Sequence, residues 1–263
     1  MSSAYNVAFV LAATDHGPLI VNRHDYRMTG PGQGYGVGYQ LLNAGSFDPD
    51  EVSLAIRLLQ LRRQHHGDGV IAFDVGANVG AHCVSWARAM RGWGSVFAVE
   101  AQERLYYALA GNLALANLDN ARAVFAAVGG QCGVLEVPVP DYHRPASFGS
   151  LELKRRPNGE YIGQTIDYAR LVPVPLTTID SLAGGLPRVD LIKLDVEGME
   201  AEALGAARET IAQHRPALMV ELIKSDDVAL VASIQALGYE TFPTGLGTVA
   251  LHRDDPVLQE WRG

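Results

Sequence analysis

Val70-Ile-Ala-Phe-Asp-Val-Gly-Ala-Asn-Val-Gly80 decides the fold, because an apolar run the length of one buried strand passes into a turn of small residues that opens a helix. The same rhythm returns downstream. Residues 95–100, 123–128, 189–194 and 217–222 read as buried strands, and helices are expected from Val79, over 103–117, over 200–213, and from an N-cap at Ser225 to a stop at Gly238. Leu105, Ala108, Leu109, Leu113 and Ala116 share one helical stripe. Residues 239–243 and 248–252 close the pattern as two short strands. Parallel neighbours need crossover connections, so the alternation predicts an α/β, Rossmann-like fold with a mainly parallel, doubly wound sheet.

Two segments fall outside the rhythm. Residues 1–69 are expected to form an N-terminal extension that packs on the core domain of 70–263 and covers its site. Within the extension, 7–11 and 19–21 are strand-like, 29–38 is a glycine-rich loop, and Asp48-Pro49 caps a helix over about 50–65 with Val52, Ile56, Leu59 and Leu61 on its apolar face. Residues 129–188, an insertion after the third strand, are too long for a structureless connection and are expected to carry a β-hairpin and a substrate-facing loop.

Bulk properties narrow the function classes. The 263 residues include 21 basic and 29 acidic side chains, a formal net charge of −8. With no long Lys/Arg run, a nucleic-acid partner is not expected, since phosphate binding draws its affinity from cationic side chains. Lys154-Arg155-Arg156 reads as a solvated loop. Two cysteines, Cys83 and Cys132, exclude a disulfide framework and lack zinc spacing; both are expected as free, buried thiols in a reducing compartment. The opening Met1-Ser-Ser-Ala-Tyr-Asn6 has no basic region, and no apolar run reaches the roughly 18 residues of a membrane span, so the expectation is a cytoplasmic protein without a membrane partner. A homodimer is compatible with the sequence.

The chemistry gathers at strand ends. Gly76, Ala77 and Gly80 leave room for a cofactor beside backbone amides at a positive helix terminus. Asn78 stands where a pyrophosphate-binding fingerprint has its second glycine, which argues against a dinucleotide. Glu100 ends the next strand, where an acidic residue accepts hydrogen bonds from ribose hydroxyls. Asp74, just before the glycines, suits a cationic amino-acid ligand better than an anionic one, and the combination points to S-adenosyl-L-methionine.

Asp74-Val-Gly-Ala-Asn-Val-Gly80, Val99-Glu100 and Val189-Asp-Leu-Ile-Lys-Leu-Asp-Val-Glu-Gly198 resemble the FkbM-type methyltransferases, and the likeness continues through Glu200-Ala-Glu-Ala-Leu-Gly205 and Val220-Glu221. The resemblance implies a class I methyltransferase fold and S-adenosylmethionine as donor. It places Gly76, Asn78 and Gly80 near the donor's amino-acid part and Glu100 on its ribose. Asp74, Ala77, Ala101, Val128 and Asp195 complete the expected donor set. It further implies an acceptor hydroxyl on a sugar or secondary metabolite, with the amide nitrogen of a peptide as the alternative; a small molecule, glycan or peptide is therefore the expected partner. The third strand end, Ala127-Val-Gly-Gly130, lacks the carboxylate that many methyltransferases set against adenine.

Asp195 and Glu197 follow a buried strand beside the ligand crevice and, with His82, are the candidate catalytic residues, since a weakly acidic hydroxyl has to lose a proton as it attacks. A plain alternative is that Asp195 and Glu197 cap a helix starting near Gly198. Oxygen ligands such as Asp195, Glu197 and Glu221 would suit a hard cation, yet carboxylates alone specify none, and no metal is predicted. Tyr26, Tyr35, Tyr39, Tyr142, His143, Phe148, Tyr161 and Tyr168 cluster in the two irregular segments, as acceptor-pocket walls or as packing. A nicotinamide-linked oxidoreductase and an inactive cofactor-binding partner rank below the methyltransferase.

Overall fold

The computed structural model describes residues 7–261 apart from 158, 226 and 246, so the opening stretch 1–6 lies outside the described residues. The first region holds β1 (Phe9–Thr14), β2 (Gly17–Asn22), β3 (Arg27–Gly30), β4 (Gln33–Tyr35), α1 (Val37–Ala44) and α2 (Pro49–His66). The core opens with β5 (Val70–Val75), α3 (Ala81–Ala89), β6 (Gly94–Glu100), α4 (Glu103–Leu115) and β7 (Ala121–Phe125). Next come β8 (Ala127–Val128), β9 (Gly133–Pro138), β10 (Leu171–Thr177) and α5 (Ile179–Ala183). The chain continues through β11 (Leu191–Leu194), α6 (Glu200–Gly205), α7 (Arg208–His214), β12 (Ala217–Glu221), α8 (Asp227–Ala236), β13 (Tyr239–Thr244), β14 (Gly247–His252) and α9 (Val257–Trp261).

Seven strands form the central sheet in the order β13-β14-β12-β11-β5-β6-β7. Pairing is parallel from β12 to β7, while β14 runs antiparallel to both of its neighbours. The mainly parallel, doubly wound sheet expected from the sequence is therefore present. β5 and β11 are buried along their whole length, as strands covered on both faces must be. Strand order reverses between these two, which puts the ligand crevice of such a sheet outside their C-terminal ends.

Several local expectations give way to specific contacts. The single helix expected over 200–213 breaks into α6 and α7, because the Asp180 carboxylate accepts from the amides of Glu209 and Thr210 at 3.2 and 2.8 Å and so starts a new helix there. The third strand also divides, β7 staying in the main sheet while β8 leaves it to pair in parallel with β10. The glycine-rich loop contains the β3–β4 hairpin and the start of α1. Pro49 does begin α2, but Asp48 sits in the left-handed region (φ 41°) and makes no side-chain cap. Ser225 spends its hydroxyl on Glu200. Cys83 is buried as expected; Cys132 is exposed.

The insertion does form a hairpin, β9 pairing antiparallel with β10 across the 139–170 connection. Polar side chains buried at junctions lock these additions to the core. Asn112, on the apolar stripe of α4, accepts from the amide of Ile20 (2.6 Å) and donates to the carbonyls of Ile20 and Val79 (3.1 and 2.7 Å), tying β2 to the turn after β5. Asp25, fully buried, accepts from the amides of Gly38 (3.0 Å) and Phe148 (2.9 Å), which joins the first region to the insertion. Burial pushes the Asp25 carboxyl up to about 6, the two amides opposing it.

At the opposite end of the sheet from the crevice, Arg62 of α2 is buried against Asp190 (3.1 Å) and Asp255, and Asp190 also accepts from the amide of Ile71 at 2.9 Å. One guanidinium thus joins α2, the entrance of β11 and the segment after β14. Without Arg62, Asp190 keeps its pairing with Arg188, but Asp255 is left buried without its close cation. Arg62→Ala is expected to lower the free energy of unfolding by about 3–5 kcal/mol in urea denaturation; a loss below about 1 kcal/mol, the size of a surface pair, would show that the cluster is not a structural tie.

Candidate donor site and acceptor cavity

Four strand ends meet at the crevice: Gly76 follows β5, Glu100 ends β6, Asp195 follows β11 and Glu221 ends β12. Together they line a cavity of about 720 Å³. Gly76, Ala77, Asn78, Glu100, Ala101, Val128, Asp195, Glu197 and His82 all reach its wall, whereas Asp74 and Gly80 lie behind it.

The turn after β5 departs from the way the sequence was read. Gly76 and Ala77 both donate to the carbonyl of Val99 at 2.9 Å. Asn78 donates to Glu100 (2.9 Å), Val79 to the side chain of Asn78 (2.8 Å), and Gly80 to the carbonyl of Ala77 (2.8 Å). Every amide from 76 to 80 is spent inside the protein. A phosphate cradle needs such amides free; here the small residues supply space. A Cβ on Gly76 would come within 1.7 Å of the carbonyl oxygen of Asp195, and Asn78 takes the left-handed conformation (φ 51°) that asparagine tolerates. Gly80 serves packing, its Cα facing Leu109 and Cys83.

Glu100 shapes the turn and still faces the cavity. Its oxygens accept from Asn78 and, at 2.7 Å, from Gln102, leaving a lone pair on each for a ribose hydroxyl. Burial raises its carboxyl to about 7 against those amides. Gln102, a residue missed in the sequence, donates to the carbonyl of Phe148 (2.8 Å) and accepts from Tyr142 (3.0 Å), so the insertion abuts this end of the site.

The other end is a charge cluster around Lys193. This lysine is buried in the middle of an otherwise apolar strand and pairs with Asp195 at 2.8 Å. Burial opposes its charge, but Asp195, Glu51 and Asp74 hold its pKa above the usual lysine value. Asp74 is fully buried, neither oxygen makes a well-formed hydrogen bond, and burial lifts its carboxyl to about 6. Burial likewise raises Asp48 and Glu51, whose helix start lines the cavity. An orphaned buried carboxylate among an excess of acids fits a donor that carries an ammonium and a sulfonium. The ribose would face Glu100, and the adenine would find Ala101 and Val128.

Asp195 and Glu197 do not cap a helix. α6 starts only at Glu200, whose own carboxylate accepts from the amides of Val196 (3.1 Å) and Gly198 (3.0 Å) and so shapes the loop that presents them. Carboxylate oxygens of Asp195, Glu197 and Glu221 lie within 4.8 Å of one another. Lys224, also missed in the sequence, pairs with Glu197 (2.6 Å) and Glu160 (3.1 Å) and donates to the carbonyl of Ser150 (2.5 Å). Glu160 accepts in turn from Tyr35 at 2.5 Å. Helix start, insertion and first region thus converge on one cavity.

His82 reaches the cavity wall and stacks on Trp86 (centroids 5.8 Å apart); its Nε2 has no partner, and burial followed by the Lys193 charge holds its pKa well below the usual value, so the ring is neutral. Among the aromatic residues singled out, Tyr35 lines the cavity, whereas Tyr142 and Phe148 pack together with centroids 4.8 Å apart.

Glu100 predicts a pH dependence. Its folded-state pKa is raised, so its share of stability is present at low pH and is lost as pH climbs through about 7, while the ionised form is the better acceptor for ribose. Affinity for S-adenosylhomocysteine, measured calorimetrically, should therefore rise by up to roughly tenfold from pH 6 to 8. Asp74 acts in the same sense, so Glu100→Gln should weaken binding and flatten the profile without abolishing it. An unchanged profile would remove Glu100 from the ribose.

Comparison with known proteins identifies the family. A model of the methyltransferase FkbM domain matches residues 74–241. Among solved structures, methyltransferase FkbM from Methylobacillus flagellatus KT is 16% identical with a TM-score of 0.46, covering 70% of this chain and 43% of that one. The precorrin-6y C5,15-methyltransferase of Geobacter metallireducens GS-15 is 15% identical (TM-score 0.44; 77% of this chain, 86% of that one). A tRNA (uracil-54, C5)-methyltransferase from Pyrococcus abyssi, in complex with S-adenosyl-L-homocysteine, is 11% identical (TM-score 0.43; 93% and 44%). The chain thus spans less than half the length of two of these three. No curated protein sequence matches significantly. Among the described residues no helix is long and apolar enough to cross a membrane. The domain match takes in the turn after β5, Glu100, Asp195, Glu197 and Glu221, and on it the chain belongs to the FkbM family of S-adenosylmethionine-dependent methyltransferases.

Proposed function

We propose that the enzyme methylates a hydroxyl group of a sugar-like or other polyhydroxylated small molecule. The observation that carries this reading is the grouping of Asp195, Glu197 and Glu221 within 4.8 Å on the cavity wall. A hydroxyl must shed its proton as it attacks a methyl group, and carboxylates beside it supply the acceptor.

The S-adenosylmethionine donor supplies an activated methyl group; the chain supplies alignment and proton handling. Glu100 and the small residues of the 76–80 turn hold the nucleoside, while Asp74, Glu51 and Asp48 offer negative charge to the amino-acid end. Asp195, fixed by Lys193, orients the acceptor hydroxyl. Gln40, Ser147 and Ser150, also on the wall, give a neutral polyol hydrogen-bonding partners. Both cavity lysines are already paired with carboxylates, which supports an uncharged acceptor over a phosphorylated one or a nucleic acid. Residues 7–69 supply Tyr35, Gln40 and the α2 start to the cavity, in keeping with a first region that covers the site.

Incubation with methyl-labelled donor and separate pools of free sugars, hydroxylated aromatic and macrocyclic compounds, and peptides tests the reading by mass spectrometry. Label on oxygen is expected; label found only on peptide nitrogen would overturn it. With the acceptor in hand, Asp195→Asn should cut turnover by about 10²-fold or more, read well below a melting temperature that is expected to fall because the buried Lys193 loses its nearest carboxylate. Turnover within a few-fold of wild type would remove Asp195 from the chemical step.

A further inference from the structure

Three carboxyl groups face one another in the cavity, and two of them have a cation. Asp195 has Lys193 at 2.8 Å and Glu197 has Lys224 at 2.6 Å. Glu221, at the end of β12, is in an ion pair with no residue among those described, and a carboxylate oxygen of it lies within 4.8 Å of oxygens of Asp195 and Glu197. Carboxylates gathered this closely repel one another, and Glu221, which has no lysine beside it, is the one for which ionisation is hardest. Burial, then the charges of Asp195 and Glu197, push Glu221 far above the usual carboxylate range, Lys193 opposing. Burial and Asp195 raise Glu197 as well, against Lys224.

The elements around Glu221 set its charge balance. β11 and its loop bring Lys193, Asp195 and Glu197; the segment after β12 brings Lys224; Asp48 and Glu51 come from the start of α2, Asp74 from β5, Glu100 from β6, Glu200 from α6, and Glu160 and Arg156 from the insertion. β14, opposite Glu221 in the sheet, contributes the uncharged Gly247 and Thr248. His82 is neutral. The surroundings of Glu221 are therefore negative, and the charge they lack is a positive one.

We propose that Glu221 is the proton acceptor of methyl transfer, and that the proton it carries in the resting enzyme leaves when the positively charged donor binds. The proposal rests on the hydroxyl reading above. With a sulfonium in the cavity, Glu221 loses its proton to solvent and becomes a carboxylate. The acceptor oxygen then bonds the methyl carbon, the carbon–sulfur bond breaks with its electron pair kept on sulfur, and the acceptor's hydroxyl proton passes to Glu221. A neutral thioether and a protonated Glu221 remain, so the resting charge is restored without a further reactant. The basicity that makes Glu221 a useful acceptor is set by its lack of a lysine, whereas Asp195 and Glu197 are spoken for.

Calorimetric titration of the full chain near pH 7.5, in buffers that differ in ionisation enthalpy, tests this directly. S-adenosylmethionine and S-adenosylhomocysteine share the ribose and ammonium, and so perturb Glu100 and Asp74 alike, but differ by one charge at sulfur. The methyl donor is expected to release more protons than its product, by a difference approaching one. Glu221→Gln should erase the difference, keep S-adenosylhomocysteine affinity within a few-fold, and lower turnover about 10²–10⁴-fold. Equal release by the two ligands in the wild-type protein overturns the proposal without reference to any variant, and a difference that survives in Glu221→Gln overturns the assignment to Glu221. An oxygen-methylated product without the proton difference sinks this proposal alone; a nitrogen-methylated product sinks it together with the reading it rests on.

Discussion

A lysine ammonium buried at the switch point of a parallel sheet has to be answered by carboxylates, and the rest of the site follows from that need. Lys193 and Asp74 stand side by side across β11 and β5, on one face of the sheet. Asp195 comes two residues later, just past the end of the strand, and the start of α2 lays Asp48 and Glu51 against them. The acids outnumber the lysine. A cluster built this way is stable only if it keeps protons or gains a cation, and both outcomes suit a site for a donor that arrives positive and leaves with one charge fewer. The accounting of amides in the 76–80 turn complements it: the protein has no free N–H groups there for a phosphate, and negative charge where an ammonium belongs.

Much of the architecture was legible in the residues. Val70–Val75 reads as a strand because its nearly continuous apolar run passes into a turn of small residues, and Glu100 stands out as a carboxylate ending an apolar run. The parts that were not legible depend on long-range contacts. Nothing local says that Asp180 starts a second helix at Arg208, or that β8 deserts the main sheet for β10. The turn residues were identified correctly as small, yet the reason for their size, space in place of hydrogen bonding, shows only once Val99 and Glu100 are seen to take their amides. Lys193 was the neglected signal, since a lysine inside a four-residue buried strand needs an explanation that a leucine does not.

The two segments outside the α/β rhythm share one purpose, and buried polar groups hold them to it. Asp25 couples the first region to the insertion through two amides, and Lys224 gathers Glu160, Ser150 and Glu197 from two of the surrounding segments. Apolar packing alone would leave such additions free to slide. Charged and hydrogen-bonded ties specify their register, which matters where cavity walls come from stretches distant in sequence.

The antiparallel β14 has a consequence for how the chain is made. It lies between β12 and β13 in space but follows both in sequence, and its Gly247 is the sheet partner of Glu221. On the ribosome, the edge of β12 that carries Glu221 therefore has no neighbour until β14 has emerged, an interval of about one to five seconds at roughly 5–20 residues per second. During that interval an unpaired strand edge is open to strands of other nascent chains. Folding of the crevice is thus completed by a late event, and ligand binding cannot begin to assist it before then.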